Sequence, residues 1–162
     1  MESIRLDSID LRILRILQQD GRITNLELAN QVGLTPTPTM ERVKRLERAG
    51  VIRGYRAMVD RDAVGRGLLV FCSLRLSVHQ LQEMDAFRER IRSLPAIVSG
   101  WNVTGEYDYL LQVAVQDMAQ YEAFLRHELS RLPGIERIST SIVLSTVKEH
   151  ATLPIQPHET DS

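Results

Sequence analysis

Four basic side chains, Arg42, Lys44, Arg45 and Arg48, fall within seven residues of a segment that also carries Thr35, Thr37, Thr39 and Glu41. Arginine's planar fork matches paired acceptors such as those on the edge of guanine, and arginine and lysine both neutralise phosphate by charge. Hydroxyls at a helix start, with the free N–H groups there, also suit phosphate oxygens. The chemistry on offer is therefore recognition of a polyanion. A run of charge on one helix face is, taken alone, more often a solvated surface, and only the short-helix, glycine-turn, basic-helix arrangement around it reverses that reading. At 3.6 residues per turn Met40, Val43 and Leu46 share one side, with Glu47 beside them. Thr37, Glu41, Arg45 and Arg48 then lie on the other, flanked by Arg42 and Lys44. Arg45, near the middle of that outward side, is the expected base-reading residue. Arg42 and Lys44 are expected on phosphates, with Arg22, Arg53 and Arg56 available for further backbone contacts.

A second cluster is Gly105-Glu106-Tyr107-Asp108. Glycine admits backbone angles closed to other residues, so the loop's N–H groups can face an anion. Glu106 or Asp108 can accept from an ammonium. Both ends of a zwitterion would then have partners, as burial requires. Gly and Asp are equally the residues of a plain hairpin turn, and both readings stand on these residues alone. No catalytic or metal site is expected. His79, His127, His150 and His158 are scattered without metal-ligand spacing, and there is no P-loop, GxSxG or CxxC. No cofactor is implied. Cys72, inside the apolar run Leu68-Leu69-Val70-Phe71-Cys72, reads as a small buried hydrophobe. Trp101 and Tyr109 read as core or subunit-contact residues.

The elements that must position these clusters are legible from start and stop signals. Asp7 or Ser8 can cap a helix reaching Gln19, and Asp20-Gly21-Arg22 ends it. Thr24 with Glu27 three residues on is a capping-box pattern. The short helix it opens stops at Gly33. A third helix starts at Thr35-Pro36, runs to about Ala49 and stops at Gly50. A short helix, a tight glycine turn and a basic helix make the sequence form of a helix-turn-helix. Residues 51–59 read as a strand and 61–67 as a linker. Beyond it come strand 68–76, helix 81–94, strands 97–103 and 109–115 around a turn, helix 118–132 and strand 135–147. That βαββαβ order is the split βαβ arrangement of ferredoxin-like folds. The fold class is thus α+β: a DNA-binding domain over 1–60, a linker over 61–67, a second domain over 68–150, and a loosely held tail over 151–162.

The chain has 162 residues and a formal net charge of −1, with 43% hydrophobic and 25% charged residues. That length suits one or two small domains. Residues 1–60 carry ten Lys and Arg against eight Asp and Glu, while residues 61–162 carry ten against thirteen. The N-terminal part is therefore the more basic. No apolar stretch approaches the ~20 residues of a membrane helix, and the N-terminus lacks a signal-peptide pattern. The single cysteine excludes an intrachain disulfide and fits a reducing cytoplasm. A cytoplasmic, nucleoid-associated location follows.

Two motifs carry a family resemblance. The first is Asp20-Gly21-Arg22-Ile23-Thr24-Asn25-Leu26-Glu27-Leu28-Ala29, then Val32-Gly33-Leu34-Thr35-Pro36-Thr37-Pro38, then Glu41-Arg42-Val43-Lys44-Arg45-Leu46-Glu47-Arg48-Ala49-Gly50-Val51-Ile52. The second is Thr104-Gly105-Glu106-Tyr107-Asp108-Tyr109-Leu110-Leu111. Together they resemble the Lrp/AsnC family of leucine-responsive and asparagine-synthetase regulators over roughly residues 6–155. The resemblance implies a winged helix-turn-helix, a hinge strand and a ferredoxin-like ligand domain (RAM). Sheets of that domain pair into homodimers, which assemble further into octamers or tetramers. It also implies duplex DNA as partner and an amino acid as effector, bound at an interface between dimers by Gly105, Glu106, Tyr107 and Asp108. Met118, Thr140, Ser141 and Ile142 match by position only. Thr39 stands where many relatives have cysteine. Ser141 falls where leucine-responsive members often carry tyrosine, which leaves the amino acid unassigned. The alternative reading is an architectural DNA binder indifferent to ligand.

Overall fold

The computed structural model describes residues 4–77, 81–149 and 152–155. Residues 1–3, 78–80 and 150–151, and the expected tail over 156–162, lie outside the described residues. The chain divides into two compact units, one up to Met58 that also takes the segment from Lys148 onward, the other Val59–Val147.

The first unit holds α1 (Ser8–Gln19), α2 (Asn25–Val32) and α3 (Pro36–Arg48). Asp7 and Asp10 close a capping box at the start of α1, and Thr24 and Glu27 close another at α2. Each satisfies backbone donors that a helix start leaves unpaired. Gly33 ends α2 at φ 75°, in the left-handed region, so the chain can turn at once into α3. Ile13, Leu28, Val32 and Leu46 are buried together where the three helices meet.

The expected strand over 51–59 does not form. Among the described residues of this unit there is no strand, and the Val51 and Ile52 N–H groups instead donate to the Leu46 carbonyl at 3.0 and 3.2 Å, finishing α3. A strand needs a ladder partner as well as β-forming residues, and one copy of the chain offers none here. The expectation of a loose tail also fails for residues 152–155, which lie against α1. Arg15 Nε donates to the Ile155 carbonyl (2.9 Å), and Gln18 exchanges two bonds with the Leu153 backbone (3.2 and 2.6 Å). Net hydrogen bonds of this kind contribute about 0.5–1.5 kcal/mol each. Gln18→Ala is expected to lower the melting temperature of this unit by about 4–8 °C, for a loss near 1 kcal/mol. Calorimetry of the full chain checks it, and an unchanged melt would mean that the tail contributes nothing.

The second unit is a four-stranded antiparallel sheet with order β2-β3-β1-β4, formed by β1 (Leu68–Leu76), β2 (Ile97–Asn102), β3 (Tyr109–Val115) and β4 (Ile135–Ile142). The helices α4 (Leu81–Ser93) and α5 (Met118–His127) complete the βαββαβ order. Alternate residues of β1 and β3 (Val70, Cys72 and Leu74; Tyr109, Leu111 and Val113) face the helices, and Phe87, Tyr121 and Phe124 pack onto them. Helix 118–132 is shorter than expected. It ends at His127, and a 3₁₀ turn, Leu129–Arg131, swings Leu129 and Leu132 into the core before Pro133. The last strand stops at Ile142, because β1 begins at Leu68 and offers no edge beyond the bond from Val143 N–H to the Leu69 carbonyl. Cys72 is fully buried beside the Tyr121 hydroxyl (3.1 Å), and burial raises its thiol's pKa, as expected of an inert cysteine. Tyr109 is core; Trp101 is 46% exposed. Among the described residues no helix is long and apolar enough to cross a membrane.

Candidate functional site

Helix α3 presents a different face from the one its apolar residues suggest. Thr39 and Leu46 are fully buried and Val43 is half-buried, a row at i, i+4 and i+7, while Met40 is 41% exposed. Thr39 can be buried because its hydroxyl donates to the Thr35 carbonyl at 2.9 Å. As a DNA contact Thr39 is therefore corrected: its only polar atom is inside and committed. Thr37, Glu41, Lys44 and Arg48, spaced by four, three and four residues, form the exposed stripe, with Met40 at its edge. Neither Lys44 nor Arg48 has an ion-pair partner among the described residues. Thr35 is the exposed N-cap with its hydroxyl unused for capping, and Arg22 is exposed in the turn before α2. Asn25 Nδ2 donates to the Pro36 carbonyl (2.8 Å), tying α2 to the first turn of α3.

Arg45 does not sit in the middle of the outward side, and Arg42, on the expected flank, is engaged by carboxylates. They lie on the flank of α3 that meets α1. Arg42 Nη1 donates to Asp7 Oδ2 (2.6 Å) and Asp10 Oδ1 (2.9 Å), and Arg45 Nη2 donates to Asp10 Oδ2 (2.5 Å). Arg45 is thus corrected from the middle of the outward side to its edge. Burial pushes the Asp7 carboxyl upward, but the Asp10 N–H and Arg42 outweigh it and hold its pKa below the ordinary value. The bond to Asp7 above all raises the Arg42 guanidinium. Sequence reasoning saw Asp7 only as a cap and missed Asp10. The available signal was an acidic pair three residues apart facing two arginines three residues apart.

In the second unit, residues 103–108 join β2 to β3. Gly105 sits at φ 115° with open space where a Cβ would be. Asp108 anchors the loop: its N–H donates to the Leu74 carbonyl (2.8 Å), its Oδ2 accepts from Leu76 N–H (2.7 Å), and its carbonyl accepts from Val103 N–H (2.9 Å) and Asn102 Nδ2 (2.8 Å). Glu106 pairs with Arg137 of β4 at 3.1 Å, and the Arg137 guanidinium lies 6.0 Å from the Tyr107 ring centroid. Arg137 was missed, because nothing local marks a strand arginine as a loop partner.

The remaining positions are not brought to this loop. Thr140, Ser141 and Ile142 pair with Cys72, Phe71 and Val70, so Ile142 lies four β1 residues from the Leu74 anchor, about 13 Å along the strand. Met118 opens α5, beyond the Val115–Leu68 pair at the far end of β1. Thr140 also faces the helices, bonded to the Tyr121 hydroxyl at 2.7 Å, whereas Ser141 shares the opposite face with Phe71. Among the described residues of this unit, no helix packs on that opposite face. It carries Leu69, Phe71 and Leu110, half-buried, and the more exposed Trp101. Among the described residues no cluster of His, Cys, Asp or Glu is placed to hold a metal.

Comparison with known proteins bears on both units. Residues 6–53 match the family model described as winged helix-turn-helix DNA-binding, and residues 69–153 match the Lrp/AsnC ligand binding domain. The chain is 40% identical over 152 residues to the leucine-responsive regulatory protein of Rhizobium meliloti, covering 94% of this chain and 97% of that one. Among solved structures, a transcriptional regulator from Neisseria meningitidis in complex with L-Met superposes with a TM-score of 0.88 at 35% identity, covering 93% of this chain and 97% of that one. An AsnC family transcriptional regulator from Agrobacterium tumefaciens gives 0.87 at 34% identity, covering 92% and 97%.

Proposed function

This chain belongs to the Lrp/AsnC family of DNA-binding transcription regulators, and on that premise we propose that it reads duplex DNA with the outward stripe of α3 and responds to an apolar amino acid through the β2–β3 loop. It carries a DNA-binding domain and a ligand-binding domain, and its relatives are regulators, not enzymes.

The observation that carries the DNA-contact reading is the uncommitted pair of cations, Lys44 and Arg48, on one stripe with Thr37 and Glu41. Lys44 and Arg48 hold phosphates, while Thr37 and Glu41 reach base edges; a carboxylate there can accept from the cytosine amino group. Thr35 and Arg22 add backbone contacts. One helix of 13 residues offers limited contact area, so pairing about a two-fold axis and a pseudo-palindromic operator follow. The helix-free apolar sheet face supports the homodimer, and dimers assemble further to an octamer or tetramer.

The amino-acid reading draws on the L-Met complex of the Neisseria relative and on the leucine-responsive name of the Rhizobium one. The Gly105 loop contributes N–H groups to the carboxylate, and Asp108 receives the ammonium. Within one chain Met118 and Ile142 lie far from that loop, so a second copy completes the pocket. The regulator works in the cytoplasm, associated with the nucleoid. A thermal-shift panel over the twenty amino acids, with DNA affinity and assembly state measured beside it, tests this. Leucine or methionine is expected to raise the melting temperature and change DNA affinity. Indifference to all twenty would leave a ligand-independent architectural binder.

A further inference from the structure

We propose that Asp10 is a positioning residue for DNA recognition: held between Arg42 and Arg45, it fixes the roll of α3 and takes both arginines away from direct readout. Asp10 is fully buried, and both of its oxygens are engaged. Oδ1 accepts from Arg42, and Oδ2 accepts from Arg45 and from Asp7 N–H at 3.1 Å. Asp7 closes the group, since its Oδ1 accepts from Asp10 N–H (2.8 Å) and its Oδ2 from Arg42. One side chain near the start of α1 thus grips two turns in the middle of α3.

The apolar contact between these helices does not define an azimuth by itself. Leu46 and Val43 fill their space within a range of rolls, because apolar packing is not directional. A buried carboxylate is different, since a roll that withdraws an arginine leaves one of its oxygens without its charged partner in the interior. The sequence itself permits a competing roll, with Met40 inward in place of Thr39, which would bring Arg45 to the centre of the outward side. The ion group excludes that alternative. Arg45 Nε is buried without a hydrogen-bond partner among the described residues. Thr37, Glu41, Lys44 and Arg48 face out because Arg42 and Arg45 are held in.

This inference rests on the outward stripe of α3 meeting DNA, and the experiment separates the two. Asp10→Asn, Arg45→Met, their double variant and Lys44→Ala are each titrated with two duplexes: one enriched by in vitro selection with the unaltered protein, and one scrambled. Folding is followed by circular dichroism. Arg45→Met is expected to keep the salt slope on scrambled DNA, because Arg45 holds no phosphate, whereas Lys44→Ala lowers it by about 1 per bound protomer. Asp10→Asn is expected to reduce the ratio of selected to scrambled affinity by about tenfold, the scale of one lost base contact. The double variant should be no worse than either single one, since the two residues act as a unit. If Asp10→Asn does not fold, Asp10→Leu with Arg45→Met removes both charges together and carries the same comparison. A salt slope that falls with Arg45→Met, a selection ratio unmoved by Asp10→Asn, or losses that multiply in the double variant would overturn the proposal. An unchanged slope for Lys44→Ala would instead remove the outward-stripe reading.

Discussion

The variant carrying Lys44→Ala and Arg48→Ala is expected to bind every duplex about a hundredfold more weakly per bound protomer at ~0.1 M salt, because each phosphate contact contributes close to 0.9 to the slope of log affinity against log salt. The slope itself should fall by about two per bound protomer. The reasoning is one of availability. Both side chains are exposed on a single helical stripe, and neither is committed to a carboxylate among the described residues. Arg42 and Arg45, by contrast, already have partners of opposite charge on α1. Removing a committed arginine disturbs the fold; removing a free cation disturbs only binding. The double variant should therefore melt like the parent protein, since uncommitted surface changes usually stay within about 0.5 kcal/mol. Anisotropy titrations between about 50 and 200 mM salt measure it. A slope unchanged from the parent would place the phosphate contacts on another surface.

How far this interface was legible depended on the range of the interaction that decides each feature. Capping is local, so Thr24 with Glu27 and the turn at Gly33 announced the ends of α2 within a few residues. The helix-turn-helix and the βαββαβ order follow from such local signals and from hydrophobic period. The roll of α3 does not. It depends on Asp10, 32 and 35 residues from the arginines it binds, and on a threonine whose hydroxyl is satisfied by its own helix. A pattern reading that ranks methionine as more apolar than threonine exchanges one inward position for its neighbour and turns the helix by about 30°, with Val43 and Leu46 inward either way. The same distance problem hid Arg137, which meets Glu106 from 31 residues away. It hid the docking of Leu153 on Gln18 as well, across 135 residues. The segment over 51–59 failed for a different reason: strand propensity is a property of residues, whereas a strand requires a neighbour.

Asp108→Ala is expected to cost about 1–3 kcal/mol and to abolish the response to amino acid together. The cost arises at the end of β1. The Leu76 N–H lies two residues beyond Leu74, where the pairing of β1 with β3 ends, and donates to Asp108 Oδ2. A donor beyond the end of a ladder is left unpaired unless a side chain reaches it. Asp108 is that side chain, and truncation leaves a half-buried amide unsatisfied, which sets the magnitude. The same residue holds its loop to β1 through its own N–H and to β2 through its carbonyl, so the end of β1 and the Gly105 turn share one support. Loosening it removes the preorganisation that a small-ligand site needs. Asp108→Asn separates the two roles. Its amide oxygen can still accept from Leu76 N–H and is expected to restore most of the melting temperature. Without the negative charge that receives the ammonium, the amino-acid shift should stay small. A full response from the Asn variant would reduce Asp108 to a brace for the loop. An Ala variant as stable as the parent would mean that the Leu76 N–H finds another acceptor.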